Sequence, residues 1–135
     1  MADTFQLEIV TPEKKVVQAV AEEMQLPGKN GYLGILPGHA PLITELAVGE
    51  ITYKNAGDSH HLAVAWGFAE VLPDKVTVLA ETCEAAHEID VPRAEKAKER
   101  AEERLHSANP DTDFERATDA LQRAEARLDV AKKGE

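Results

Sequence analysis

The feature that most constrains the fold is an abrupt change of pattern at residues 88–95, which read EIDVPRAE. Before this stretch, short apolar runs alternate with turns, and seven of the eight glycines lie there. After it, alanine and charged residues recur at helical spacing, and all six arginines lie from Arg93 onward. A chain of 135 residues has room for one ordinary domain, or a small domain with an appendage. The change of pattern therefore predicts a β domain over residues 1–87 and a helical segment over residues 88–135.

The first segment has the periodicity of short strands. Residues 5–9 and 76–80 alternate between apolar and polar with period two, and residues 16–26, 51–53 and 61–71 are further strand-like runs. Glycine, proline, asparagine and aspartate at residues 27–31, 55–58 and 73–74 predict the turns between them. Short strands with turns about every 8–12 residues are typical of a β-sandwich or a barrel.

The second segment predicts two antiparallel helices. Asp90 is an N-cap candidate, Pro92 suits a first turn, and residues 107–111 break the helical pattern. Thr112 and Glu115 match a capping box for a second helix. The apolar seams expected on the two helices are Ala94, Ala97, Ala101 and Leu105, and then Phe114, Ala117, Leu121, Ala124, Leu128 and Ala131. Because alanine buries little apolar area, the hairpin should pack closely and hold weakly, so it is an element able to detach from the β domain.

Composition excludes several functional classes. A net charge of −10 argues against binding nucleic acid or anionic lipid by charge. No apolar run approaches the roughly 20 residues of a membrane helix, so no direct membrane insertion is expected. The single Cys83 fits a reducing cytosol. No catalytic motif is present, and His60 and His61 should point to opposite faces of a strand, so neither catalytic nor metal-binding residues are predicted.

The segment at residues 31–43, GYLGILPGHAPLI, combines three glycines and two prolines. These residues predict an irregular, rigid backbone path, with Leu36, Leu42 and Ile43 leaving an apolar patch beside it. Two interpretations remain open from the residues alone. The segment is either a rigid loop with a hydrogen-bonded His39 or a shaped surface for a protein partner.

The same segment, followed by GFAEV and VTVLAETCEAAHEIDVPRA, resembles the epsilon subunit of the bacterial rotary proton-translocating ATP synthase over essentially the whole chain. The resemblance implies a ten-stranded β-sandwich followed by a two-helix hairpin. It implies a non-catalytic subunit of the central rotor, peripheral on the cytoplasmic face of the plasma membrane. Its partners would be the gamma subunit, the ring of c subunits and the catalytic alpha/beta hexamer. The loop expected to face the c-ring comprises Gly38, His39, Ala40, Pro41 and Leu42.

The resemblance also implies regulation. In the family the hairpin either folds on the sandwich or extends into the catalytic hexamer, where it hinders ATP hydrolysis. Some bacterial members bind ATP in the folded form, as a regulatory ligand rather than a required cofactor; whether Mg²⁺ takes part is left open. The positions matching those implicated in nucleotide contact are Glu84, Ile89, Asp90, Arg93, Ala94, Arg123 and Arg127. Trp66 departs from the family pattern, because a small residue is common at its position.

Helix geometry allows two roles for the arginines. Arg123 and Arg127 share a helix face, and an antiparallel hairpin brings them toward Arg93 in the first turn of the other helix, where three guanidiniums can converge on a triphosphate. Asp90 would fix the helix start and accept a hydrogen bond from adenine or ribose. In the alternative, the arginines form salt bridges, Arg127 with Glu88 or Asp90 and Arg123 with Glu95 or Asp119.

A different class of function, a free-standing β-sandwich binding module with a helical tail, also fits the layout.

Overall fold

The computed structural model describes residues 3–107 and 109–134. Seven strands form one continuous sheet in the order β2-β1-β7-β6-β5-β3-β4. β1 and β7 are parallel, and the other neighbouring pairs are antiparallel. The strands are β1 (Phe5–Val10), β2 (Lys15–Ala21), β3 (Glu23–Gly28), β4 (Gly31–Ile35), β5 (Leu42–Asn55), β6 (Asp58–Val71) and β7 (Lys75–Ala85).

The three long strands β5, β6 and β7 turn a corner, and this folds the single sheet into two packed layers. On β6, Leu62 and Val64 face the core before the corner and Ala69 and Val71 face it afterwards, so the alternation slips by one residue. The slip falls at Trp66, where pairing with both neighbouring strands lapses and φ is 54°. Equivalent slips separate core residues on β5 and β7.

The predicted sandwich is confirmed, and its strand count differs from the expected ten for this reason. Each of the three long strands contributes one segment to each layer, so counting their halves separately gives ten segments, whereas hydrogen bonding joins them into seven strands. The core between the layers is mainly aliphatic, and Leu7, Ile9, Leu26, Ile51 and Val71 are at most 1% exposed. Burial of this extent supplies the main stabilisation of the domain.

Two sequence expectations about strands were wrong in detail. Residues 16–26 form two strands, because the chain turns at Glu22 between β2 and β3. The segment at residues 31–43 is only partly a loop, since it contains β4 and the start of β5. Gly28 and Gly31 face each other across the β3–β4 turn, and local glycine and proline content hid this hairpin from a pattern-based prediction.

The two predicted helices are present. A short 3₁₀ turn (Ala86–Glu88) leads into α1 (Val91–His106), and α2 spans Phe114–Lys133. Asp90 caps α1 as expected, since its Oδ1 accepts a hydrogen bond from the backbone N–H of Arg93 at 3.2 Å. The predicted cap of α2 was wrong by one residue, because Asp113 rather than Thr112 accepts from a backbone N–H in the first turn.

The hairpin lies folded against the sandwich. α1 packs on α2, and α2 packs on β5, β6, β7 and the 3₁₀ turn. Ala94, Ala101, Ala117 and Ala124 are buried, as the seams predicted, whereas Phe114 is half exposed. The apolar anchor on the sheet is Val130, a residue outside the predicted seam. Among the described residues, neither helix combines the length and apolar character that crossing a membrane requires.

Candidate functional site

One register row of the sheet lies beneath α2. Glu50 pairs with Ala63 across β5 and β6, and Ala63 pairs with Glu84 across β6 and β7. Each member of the row contacts α2. Lys133 Nζ lies 2.7 Å from Glu50 Oε1, Val130 packs on Ala63, and Arg127 Nε donates to Glu84 Oε1 at 2.5 Å. Positions 127, 130 and 133 share a helix face, so one apolar contact is bracketed by two ion pairs.

Glu50 is the centre of a small polar cluster. His61 Nδ1 lies 2.7 Å and Thr52 Oγ1 3.1 Å from its carboxylate, in addition to Lys133. Burial alone would raise the pKa of Glu50, but the hydrogen bonds from Lys133 and His61 outweigh it and hold that pKa below its ordinary value. His60 points the other way and stacks on Tyr53, so the two histidines face opposite sides as predicted. Within residues 3–107 and 109–134, no group of three or more His, Cys, Asp or Glu is arranged to hold a metal ion.

A cleft of about 420 Å³ opens between the two helices and the junction with β7. Its charged lining comes from both helices and the junction: Glu84, Glu88, Asp90, Arg93, Arg100, Arg104 and Arg127. Small alanines, Ala94, Ala97, Ala101 and Ala120, form the apolar part of the wall. The volume lies in the range of small-molecule sites, and four guanidiniums on a single cleft favour a polyanionic ligand.

The structure brings together most of the residues implicated by the resemblance. Glu84, Asp90, Arg93, Ala94 and Arg127 all line this cleft. Ile89 is instead buried beneath the junction with Ala63 and Val130, where it fixes the path of the chain into α1. In this arrangement the Arg127 guanidinium pairs with Glu84, and both side chains are about one-third exposed.

Arg123 lies elsewhere. Its guanidinium carbon is 5.0 Å from the centroid of the Trp66 ring, and it lines a smaller neighbouring cavity beside the sheet, which shares Glu84 and Arg127 with the cleft. The expected convergence of three guanidiniums thus holds for Arg93 and Arg127 only. The expected alternative pairings were also wrong, because Arg127 meets Glu84 and Arg123 meets an aromatic ring.

Arg100 and Arg104 are cleft residues that the sequence analysis missed. They follow Arg93 by seven and eleven residues on α1, a spacing that keeps all three on one helix face. This periodicity was available in the sequence.

The junction between the two parts is tied to the sandwich by charge. Lys14, in the β1–β2 turn, donates to Glu88, which also accepts from the backbone N–H of Ala85 at 3.1 Å. These bonds lower the pKa of Glu88, and its carboxylate in turn raises the pKa of Lys14. Glu88 therefore pairs with Lys14 and accepts a backbone hydrogen bond while it also lines the cleft.

The outer face of the other layer exposes several large apolar side chains, with glutamates between them. Ile43 is 71%, Phe68 53% and Leu79 56% exposed, and Phe68 lies directly opposite Leu79 across β6 and β7. We call these three residues the outer apolar face. α2 covers the row of Glu50, on the other halves of the same long strands, and so leaves this face open.

The loop at residues 36–41 lies at one end of that layer. Gly38 has a φ of 84°, which glycine adopts without strain, and its N–H donates to Pro73 O at 2.8 Å. His39 Nδ1 donates to Ala40 O at 2.7 Å, so the histidine is hydrogen-bonded within the loop. Leu36 is 60% exposed, which confirms the expected apolar patch beside the loop. Pro41 is exposed and Leu42 begins β5.

The fold defines the class as a β-sandwich that carries a two-helix hairpin, and comparison with known proteins gives its family. Family models for the ATP synthase delta/epsilon chain match, the β-sandwich domain at residues 4–86 and the long α-helix domain at residues 87–132. An ATP synthase epsilon chain from Syntrophobacter fumaroxidans is 50% identical over 98% of this chain and 99% of its own length. One from Koribacter versatilis is 68% identical over 82% of this chain and 78% of its own length.

A chain of the Euglena gracilis mitochondrial ATP synthase, solved by cryo-EM as OSCP/F1/c-ring, has the same fold. It superposes with a TM-score of 0.82 at 21% identity, covering 98% of this chain and 83% of that one. The chain belongs to the family of ATP synthase epsilon chains, and the resemblance drawn from the sequence is confirmed.

Proposed function

We propose that this chain is a non-catalytic central-stalk subunit of a proton-translocating ATP synthase. The sandwich binds the gamma subunit and the c-ring, and the hairpin inhibits ATP hydrolysis when it extends toward the alpha/beta hexamer. It attaches peripherally to the cytoplasmic face of the membrane through the complex. Family membership supports the assembly. The single observation that carries the regulatory part is the arginine-lined cleft, whose walls are the two helices and the junction.

The outer apolar face supports a permanent protein partner. Three large side chains more than half exposed on one sheet face are unfavourable in water, and such patches mark interaction sites. Ile43→Asp and Phe68→Asp should therefore abolish co-purification with the gamma subunit. The matched control is Phe114→Asp, at an equally exposed aromatic position on the hairpin. Retention of gamma by both sheet variants would exclude this face as the interface.

The regulatory role needs a hairpin that can leave the sandwich. Among the described residues, α2 rests on the sheet through Val130 with Ala126 and Ala131 beside it, two ion pairs and one cation–π contact, so large apolar side chains contribute little to the interface of this 20-residue helix. Deleting residues 88–135 should raise ATP hydrolysis by the assembled complex. If the truncated subunit inhibits as strongly as the full chain, the hairpin has no such role.

ATP is the ligand that the cleft supports best. Arg93, Arg100, Arg104 and Arg127 offer paired N–H groups to phosphate oxygens, and the alanine wall offers a flat apolar surface to a base or sugar. The N-terminus of α1 opens onto the same cleft and adds its favourable dipole. A ligand that spans both helices and the junction stabilises the folded hairpin, because these walls separate when the hairpin extends.

Calorimetry on the isolated chain tests this directly. ATP should bind, and Arg93→Ala and Arg127→Ala should each weaken binding by about 10-fold or more, since each removes a charge-assisted phosphate contact worth about 1.5–3 kcal/mol. Arg116→Ala is the matched control, because Arg116 lies on α2 outside the cleft. Repeating the titration with EDTA measures any Mg²⁺ requirement. Affinity unchanged by both cleft substitutions would remove the assigned site.

A further inference from the structure

The contact between Trp66 and Arg123 joins the sheet to the hairpin outside both the register row and the cleft. Trp66 is the only tryptophan of the chain, and its backbone has a φ of 54°. Large side chains avoid this left-handed region, and such strain persists only where the surroundings enforce it. The next residue, Gly67, has no room for a side chain, since a Cβ there would lie 2.0 Å from Leu79 O.

The close approach of Gly67 to β7 determines the position of the Trp66 indole. Gly67 crosses β7 so closely that the chain must bend at Trp66, and the ladders to both neighbouring strands lapse there. The indole is half-buried beside α2, and the Arg123 guanidinium lies 5.0 Å from its centroid, within the range of a cation–π contact. Arg127, one turn further along α2, reaches Glu84 instead. The two arginines of one helix face thus have different partners on different strands.

We propose that Trp66 and Arg123 form a latch that holds the hairpin on the sandwich without any nucleotide, and that Trp66 positions Arg123 away from the arginine-lined cleft. The first part is independent of ATP. The second rests on the proposed ATP site. Together they give the two α2 arginines different roles: Arg123 fastens the helix to the sheet outside the cleft, whereas Arg127, which pairs with Glu84, lies on the cleft with Arg93 for the ligand.

The latch makes an unusual prediction for Trp66→Gly. Glycine adopts a positive φ freely, so relief of the backbone strain at residue 66 should offset the loss of the indole and leave the sandwich about as stable as before. The hairpin should nevertheless be held less tightly, because the ring is gone. A position whose role is only structural would move both properties in the same direction.

The test measures hydrogen exchange of α2 amides by mass spectrometry on the full chain without nucleotide. Trp66→Gly and Arg123→Ala should each speed exchange in α2 about two- to fivefold, the range for an exposed cation–π contact of about 0.5–1 kcal/mol. Exchange in β1 and β7 should not increase. Arg116→Ala, which removes an arginine from the exposed first turn of α2, should have no effect.

A double-mutant cycle isolates the pair. If the two groups act on each other, α2 amides of the variant carrying both substitutions should exchange no faster than those of the faster-exchanging single variant. Trp66→Tyr should keep part of the α2 protection that Trp66→Gly loses. The fluorescence of Trp66 gives a second readout, since Arg123→Ala should shift its emission and Arg116→Ala should not. Additive effects in the cycle, or emission and exchange that match the control, would overturn the latch.

Calorimetry then separates the latch from the ATP site. Arg123→Ala should weaken ATP binding by no more than the two- to fivefold loosening of the hairpin, whereas the cleft variants should lose more. A loss as large as that of Arg127→Ala would place Arg123 on the ligand and refute its positioning by Trp66. If ATP binds nowhere, the proposed function fails, yet the exchange and fluorescence results without nucleotide still decide the latch.

Discussion

Replacing Val130 with alanine tests how the hairpin is held. Val130 is completely buried and packs on Ala63 and Ile89, where the sandwich, the junction and α2 meet. The substitution removes two carbon groups, worth about 1.6 kcal/mol of transfer free energy at ~0.8 kcal/mol each, and a residual cavity raises the loss to about 3 kcal/mol. Since about 1.4 kcal/mol corresponds to a factor of ten, the equilibrium constant for docking of the hairpin should fall about 10- to 100-fold.

Hydrogen exchange of α2 amides measures this equilibrium, because they lose protection when the hairpin undocks and the helices fray. The sandwich amides of β1 and β7 serve as the internal reference and should keep their protection. Val20→Ala is the matched control, since the same atoms are removed where the side chain is 49% exposed. If Val130→Ala speeds exchange in α2 no more than the control does, the cluster around Val130 does not hold the hairpin.

Three further predictions concern single groups. Gly67→Ala should destabilise the sandwich by about 3 kcal/mol or more in urea denaturation, since its Cβ would lie 2.0 Å from a backbone oxygen, whereas Gly57→Ala, with positive φ but open space, should lose only about 1–2 kcal/mol. Burial raises the pKa of the Cys83 thiol to about 12, so thiol reagents at pH 8 should label the folded chain orders of magnitude more slowly than the unfolded chain; equal rates would contradict this. The pKa of Glu50 is below its ordinary 4.5, so its contribution to holding α2 is complete above that pH and is lost as pH falls through the lowered value. The protection of α2 amides relative to their intrinsic exchange rate should fall there, less so in Lys133→Ala, and a loss of protection near neutral pH would contradict the assignment.

The fold was predictable where local rules act alone. Period-two alternation, turn residues and the cap at Asp90 located most strands and both helices. The alternation failed at Trp66 because a strand that turns a corner exchanges its faces, and this depends on contact with β7 rather than on neighbours in sequence. The cleft was foreseen through Arg93 and Arg127 because an antiparallel hairpin brings them together.

The partners of the arginines were not predictable in the same way. Glu84 and Trp66 are far from Arg127 and Arg123 in sequence, and only the path of α2 across the sheet selects them. Charge matching within the hairpin therefore proposed nearby acids that the helix geometry does not bring into contact. To predict a contact between two elements, one must know how the residues of both elements are placed against each other.

The two outer faces of the sandwich differ in chemistry in a way that fits two kinds of contact. The outer apolar face exposes Ile43, Phe68 and Leu79, and burying such side chains gives a strong contact that has little dependence on salt or pH. The face beneath α2 relies on ion pairs and alanine-sized packing, with Val130 and Ile89 as the large buried aliphatic groups in its cluster. Contacts of that kind are weak enough to break, and they respond to charge. In the proposed function, a ligand whose phosphates bridge Arg93 and Arg127 would act on the second face only, so it would shift the hairpin while the first face stays attached to its partner.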